Sequence, residues 1–316
     1  MSAGQAIGAD VGGTKIAALR ITATGEVVDR EVRPTPADDP AGIAKALEEA
    51  IAAVVDDGVA GVGVGAAGLI DVTRGVLLFS PNLAWRQVPL RERLSDRFGV
   101  PVTIDNDATA AAWAESRIGA SRGYGDSLFV GVGTGIGGGI VSGGRLFRGA
   151  RGLAGEIGHV IVEPGGPPCG CGNRGCWEQI ASGHAIARAG ARAVLDNPSS
   201  RIAELAEGDP RRATGELVTR AAVEGDAAAV AILAEVGRRL GEGVAGLVNV
   251  LDPEIVVVGG GVAEVGDLLL EPIRRAYAES VEGGDVRADV PIVPAALGND
   301  AGAIGAALLA IEAAAA

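Results

Sequence analysis

Cysteine is scarce in this chain, with three in 316 residues, and aromatic residues make up 3%. Three is an odd number, so a disulfide framework would leave one thiol over. No run approaches eighteen uninterrupted apolar residues despite a positive mean hydropathy, which argues against a membrane-spanning helix. The 51 glycines and the abundant alanine therefore point to close packing of small residues. Basic charge is also short: 27 Lys and Arg stand against 40 Asp and Glu, a formal net charge of -13. Such a chain repels polyanions, and no local basic patch offsets this, so nucleic acid is not an expected partner. The start, Met1-Ser2-Ala3-Gly4-Gln5, has neither the positive n-region nor the apolar stretch of a signal peptide, and the expected compartment is the cytoplasm. With 48% hydrophobic residues the chain can bury a large core, and its length predicts two domains.

What is present is concentrated. All three cysteines lie within Cys169-Gly-Cys171-Gly-Asn-Arg-Gly-Cys176, and His159 stands ten residues before the first. Thiolates and imidazole are the preferred ligands of Zn²⁺, four complete a tetrahedral shell, and the glycines let a short loop fold around one ion. Three unrelated thiols are the competing reading, which the tight spacing disfavours. A closed four-ligand shell leaves no position for water, so a structural zinc is expected. Glu156 lies three residues before His159 and Glu178 two after Cys176, which ties two carboxylates to one metal loop. Isolated surface acids are usually solvated charge. Rigid support from a metal scaffold instead suits hydrogen-bond recognition of a polyhydroxylated ligand.

Along the chain, Ala6 to Asp10 reads as a short buried strand, followed by the turn Val11-Gly12-Gly13-Thr14-Lys15, a strand from Ile16 to Ile21, and a third from Glu26 to Arg33. Pro34, Pro36 and Pro40 break the sheet pattern, and the segment from Pro40 to Val55 has helical apolar spacing at Ile43, Leu47 and Ile51. A glycine-rich strand from Val59 to Gly68 follows, then Val102-Thr103-Ile104 running into Asp105-Asn106-Asp107, then an alanine-rich helix from Ala108 to Ile118. Alternating strands and helices predict an α/β fold. Trp85, Trp113 and Trp177 read as core or loop anchors, Trp177 beside the metal loop.

Ser127 to Val141 repeats the opening unit, with Gly133-Thr134-Gly135 between two apolar strands, so the chain looks internally duplicated. Each turn offers bare backbone N–H groups to an anion, where any Cβ would obstruct phosphate oxygens. A single such turn is ordinary hairpin chemistry, but a pair with Lys15 beside the first favours phosphate. Neither fits the P-loop pattern, because Gly12-Gly13-Thr14-Lys15 lacks the four-residue spacer and the Lys-Ser/Thr ending. A third cluster, Gly259-Gly260-Gly261, ends a buried strand and suits adenosine packing; it fails the dinucleotide spacing.

Asp10-Val-Gly-Gly-Thr-Lys15, Asp105-Asn-Asp107, Gly133-Thr-Gly-Ile-Gly137, Gly155-Glu-Ile-Gly-His159 and Cys169-x-Cys171-Gly-x-x-Gly-Cys176-x-Glu178 together resemble the repressor, open-reading-frame and kinase (ROK) family of sugar kinases and regulators, in order over nearly the whole length. Among its branches the chain looks most like the bacterial ATP-dependent glucokinases. The resemblance implies an actin-like, hexokinase-like ATPase fold with duplicated ribonuclease H-like α/β domains around a cleft. It implies a small domain of residues 1–107 plus 299–316, to which the closing helix returns, and a larger one of 108–298 carrying the zinc loop. It also implies transfer of the ATP γ-phosphate to the 6-hydroxyl of glucose. In that frame Asp107 matches the catalytic base, and Asn106, Glu156, His159 and Glu178 match groups that hydrogen-bond the other sugar hydroxyls, with Gly68 as a backbone contact. Gly12, Gly13, Thr14 and Lys15 match one phosphate loop and Gly133, Thr134 and Gly135 the other, while Gly260 and Gly261 match the adenosine turn. Asp10 would hold the Mg²⁺ that bridges the β- and γ-phosphates, through water. His159, Cys169, Cys171 and Cys176 would hold the structural Zn²⁺, and the chain keeps the family pattern at all these positions.

Three alternatives share the motifs. A kinase for fructose, N-acetylmannosamine or another hexose would need partly the same hydroxyl contacts, and polyphosphate is another conceivable donor. A sugar-sensing regulator would normally carry a helix-turn-helix region ahead of the first phosphate loop, where this sequence has nine residues. Sugar and ATP are thus the expected small-molecule partners, and family likeness implies a homodimer or homotetramer.

Overall fold

The computed structural model describes residues 4–315; residues 1–3, which hold part of the chain start discussed above, lie outside the described residues. In chain order the elements are β1 (Gln5–Val11), β2 (Lys15–Ile21), β3 (Val27–Pro34), α1 (Pro40–Val54), β4 (Val59–Ala66), β5 (Leu69–Asp71), β6 (Val76–Phe79), β7 (Arg86–Val88), α2 (Leu90–Phe98), β8 (Val102–Asn106) and α3 (Asp107–Ile118). They continue with β9 (Ser127–Val132), β10 (Ile136–Ser142), β11 (Arg145–Leu146), α4 (Trp177–Ala181), α5 (Gly183–Asp196), α6 (Arg201–Leu205), α7 (Gly215–Val223), α8 (Ala227–Leu251), β12 (Ile255–Gly259), α9 (Asp267–Ser280), β13 (Ile292–Pro294) and α10 (Ala301–Ala315).

Two five-stranded sheets have the orders β3-β2-β1-β4-β8 and β11-β10-β9-β12-β13, with β5-β6-β7 as a small third sheet. The orders are one pattern used twice, so the duplication seen in the glycine turns extends to the sheets. In the first, β1, β2 and β3 pair antiparallel while β4 and β8 add in parallel, which directs the ends of β1, β4 and β8 the same way. Asp10, Gly65 and Asp105 consequently lie side by side in register across three strands.

Local chemistry explains the boundaries. Asp39 caps α1 by accepting the Ala41 N–H at 3.1 Å, and Pro40 takes the first helical position, where its missing N–H is no loss. Ile43, Leu47, Ile51 and Val54 then face a core with Ile7, Val11, Ile16, Val62, Val64 and Trp85. The closing helix packs by backbone contact: a Cβ at Gly8 would stand 1.8 Å from the Ala303 carbonyl oxygen, one at Gly63 1.8 Å from that of Ala306, and one at Gly305 1.8 Å from that of Ala110. Glycine at these positions lets α10 lie directly on β1, β4 and α3, which is what the small-residue composition serves.

The chain divides into two compact units, one of Met1–Phe129, Gly138–Gly155 and Asn299–Ala316, the other of Val130–Gly137 and Glu156–Gly298. The closing helix belongs to the first. Residues 108–129 and 138–155, which the resemblance allots to the larger domain, cluster with the first unit, where α3 packs on α10. Trp85 and Trp177 are buried anchors whose indole N–H groups donate to the Pro40 and Arg239 carbonyls, both at 3.0 Å.

Candidate functional site

In the first unit, Asp10 ends the buried run of β1 and faces other acids. Burial, chiefly, and the neighbouring Asp107 and Asp300 charges push its carboxyl from the usual 3.8 to about 7, against the opposing pull of Lys15. Its Oδ1 is buried with no hydrogen-bond partner among the described residues. A buried carboxylate oxygen without a donor, set among like charges, suits a hard divalent cation such as Mg²⁺. The turn between β1 and β2 is closed by the Gly12 N–H donating to the Lys15 carbonyl at 3.0 Å.

Asp107 opens α3 at the end of β8. Its Oδ1 accepts the Ala108 N–H at 2.9 Å, yet burial outweighs that bond and its own backbone N–H and raises its carboxyl above the ordinary value. A carboxylate raised toward neutral pH is better matched to accepting a proton than an ordinary aspartate. Asn106 is the helix cap: its Oδ1 accepts the N–H groups of Ala108 and Thr109 at 2.9 and 3.1 Å, and its Nδ2 donates to the Gly68 carbonyl at 3.3 Å. Asn106 and Gly68 are therefore brought together, and the amide retains one N–H for a ligand. Gly68 has φ +135°, and a Cβ there would meet the Phe79 carbonyl oxygen at 2.3 Å.

Two residues outside the sequence-derived set join this group. Arg148 donates to the buried Asp105, and Arg30 donates to Asp300 from Nη1 at 3.0 Å and also from Nη2. Burial raises the Asp105 carboxyl, with Arg148 acting against the shift. No local spacing marks Arg148, which is 43 residues from its partner.

In the second unit, the ligand atoms of His159, Cys169, Cys171 and Cys176 all lie within 4.8 Å of one another, a grouping that could hold a metal ion. Soft thiolates with an imidazole suit Zn²⁺. The Cys169 and Cys176 residues are buried, and burial pushes both thiols up, a cost that a coordinated cation's charge would reverse. His159 turns Nδ1 toward Cys169 Sγ at 3.6 Å and Nε2 toward Glu156 Oε2 at 3.9 Å. Ligation through Nδ1 would leave a proton on Nε2, on the Glu156 side. Glu178, in the first turn of α4, accepts from Cys169 Sγ at 3.0 Å through Oε1. The loop thus holds Glu156 and Glu178 around one imidazole, as the spacing predicts.

The second glycine turn lies between β9 and β10, with Gly133 N–H donating to the Gly135 carbonyl at 3.0 Å. A Cβ at Gly135 would stand 2.3 Å from Glu178 Oε2, so the turn and the metal loop meet there. Gly260, at φ +86°, follows β12 and lies against the Val132 backbone, where a Cβ would approach to 2.5 Å of its carbonyl oxygen. Gly260 is thereby placed at the root of this turn, with Gly261 next in the chain.

Residues 6–313 match the ROK family model. The chain belongs to the ROK family. Its α/β architecture is the actin-like, hexokinase-like fold of that family. Among ROK relatives, the chain is 42% identical to a glucokinase of Streptomyces coelicolor over 98% of both chains, and 39% identical to a glucokinase of Halalkalibacterium halodurans over 95% of this chain and 92% of that one. A solved ROK glucokinase from Streptomyces griseus, in complex with glucose and AMPPNP, superimposes with a TM-score of 0.92 at 41% identity, covering 98% of this chain and 100% of the other.

Proposed function

We propose that this ROK protein is an ATP-dependent glucokinase, which transfers the γ-phosphoryl group of ATP to the 6-hydroxyl of glucose and releases glucose 6-phosphate and ADP. The observation that carries the reading is Asp107, a half-buried carboxylate at the head of α3 whose pKa is raised by desolvation, beside Asp10 in a chain of this family. Asp107 accepts the proton of the 6-hydroxyl as that oxygen bonds to the γ-phosphorus and the bond from phosphorus to the ADP oxygen breaks. Such transfer asks little covalent work of the protein, so alignment of the acceptor oxygen with phosphorus supplies most of the acceleration.

Asn106, Glu156, His159 and Glu178 take the remaining hydroxyls, with Gly68 contributing its backbone. Gly12 to Lys15 and Gly133 to Gly135 cradle phosphates, and Gly260 and Gly261 face adenosine. Asp10 would hold Mg²⁺ through water; when bound, that ion neutralises charge on the β- and γ-phosphates. His159, Cys169, Cys171 and Cys176 would hold Zn²⁺, which keeps the loop rigid and takes no part in the chemistry. A cytoplasmic homodimer or homotetramer accords with the family likeness.

The test is kcat/KM over glucose, fructose, mannose and N-acetylmannosamine, each with ATP and with polyphosphate. Glucose with ATP is expected to give the highest value. A higher value for another sugar, or for polyphosphate, overturns the assignment of that substrate.

A further inference from the structure

The two glycine turns share a feature that neither motif discloses. In the first, Thr35 donates its hydroxyl to the Gly12 carbonyl at 2.8 Å and its backbone N–H to the Thr14 carbonyl at 3.0 Å. In the second, Ser182 donates its hydroxyl to the Thr134 carbonyl at 2.9 Å, the His184 N–H reaches the same carbonyl at 3.2 Å, and the Gly183 N–H reaches the Gly133 carbonyl at 2.9 Å. Each turn therefore has two of its carbonyls pinned by a hydroxyl residue and its neighbouring backbone, and in each the Thr at the tip is exposed.

Pinning a carbonyl also aims an amide. A peptide unit is planar and trans, so the N–H of the next residue points opposite to the carbonyl before it. Holding the Gly12 and Thr14 carbonyls directs the N–H groups of Gly13 and Lys15 away from Thr35. Holding the Gly133 and Thr134 carbonyls directs those of Thr134 and Gly135 away from Ser182. Glycine-rich backbone left to itself samples many orientations, and each bond removes part of that freedom before an anion arrives.

We infer that Thr35 and Ser182 are positioning residues that orient the two turns' amides toward the phosphates of ATP, an inference that rests on the phosphate-cradle reading above. Neither hydroxyl touches nucleotide in this scheme. Both act through the turn carbonyls, one from the segment that follows β3 and one from the cap of α5.

The experiment compares steady-state KM for ATP and for glucose, together with calorimetric binding of MgADP, in Thr35→Val, Thr35→Ser, Ser182→Ala and Gly133→Ala. Thr35→Val and Ser182→Ala should each raise KM for ATP and weaken MgADP by about five- to tenfold, the effect of one lost hydrogen bond. KM for glucose should stay within about twofold, since a positioning loss at the turn spares sugar binding. Thr35→Ser, which keeps the hydroxyl, should restore near-native values. Among the described residues nothing lies within 4 Å of a Cβ built at Gly133, so Gly133→Ala tests the cradle without disturbing the fold. If Gly133→Ala weakens MgADP while the two hydroxyl variants do not, the cradle stands and the positioning role is overturned. If Gly133→Ala also leaves MgADP binding unchanged, the cradle reading fails and the inference falls with it. A uniform rise in both KM values, with Thr35→Ser no better than Thr35→Val, marks a general structural role and likewise overturns it. Should Thr35→Val fold poorly, Thr35→Ala carries the same comparison.

Discussion

Arg148 holds one oxygen of Asp105 with two nitrogens, Nε at 2.8 Å and Nη2 at 2.6 Å, while the other oxygen accepts the Asn106 N–H at 2.9 Å. Asp105 is 4% exposed and lies two residues before the proposed base. The pair thus braces the end of β8 from which α3 and Asp107 depart.

Removing the guanidinium should leave a buried carboxylate without its partner. Arg148→Leu is expected to lose about 3 kcal/mol of stability, the lower end of the range for broken buried pairs, because Arg148 itself is partly open to water. Urea denaturation measures this directly. A loss under about 1 kcal/mol would mean that water replaces the guanidinium at no cost.

Asp107→Asn removes the proton acceptor and keeps the shape. We expect kcat to fall by about 10² to 10⁴ with KM for glucose little changed. Near-wild-type kcat would assign the proton to another group.

Asp10 makes a pH prediction whose sign follows from the direction of its shift. Its folded carboxyl titrates at about 7, above the usual 3.8, so between those values the folded chain holds a proton that the unfolded chain has released. Stability from this group is complete below about 3.8 and is lost as pH rises through about 7. In metal-free protein, the melting temperature of wild type relative to Asp10→Asn should therefore drop between pH 5 and 7.5, and Mg²⁺ with nucleotide should recover part of the drop. A flat difference across that range would show that the Asp10 carboxyl ionises without penalty.

Cys176→Ser takes one ligand from a cluster whose donor atoms lie within 4.8 Å of one another. Elemental analysis should find zinc near one equivalent in wild type and much less in the variant, and KM for glucose should rise as Glu156 and Glu178 lose their support. Active wild-type protein without zinc would remove the metal from the account.

Much of this is legible in the sequence, because it is local. Asp39-Pro40 announces a helix start, and the spacing of Ile43, Leu47 and Ile51 gives its buried face. The grouping of Cys169, Cys171 and Cys176 with His159 could be read from spacing because a short glycine-containing loop brings its own side chains together. Thr35, Ser182, Arg148 and Arg30 carry no such mark. Their partners lie 23, 48, 43 and 270 residues away. Hints exist after the fact, such as a lone hydroxyl between Pro34 and Pro36 and a Ser-Gly pair heading a helical pattern. Neither names the carbonyl it will hold.

The sequence by itself determined the opening strands, α1, α3 and the glycine turns, and marked out His159 with the three cysteines as neighbours, since these depend on the conformational limits and periodicity of nearby residues. Only the tertiary structure decided which carbonyls are pinned, why Gly8 and Gly63 must lack a side chain beneath α10, and that burial raises the Asp10 and Asp107 carboxyls. Those outcomes depend on what the folded chain packs against each group, and desolvation and close contact arise only when segments remote in sequence meet.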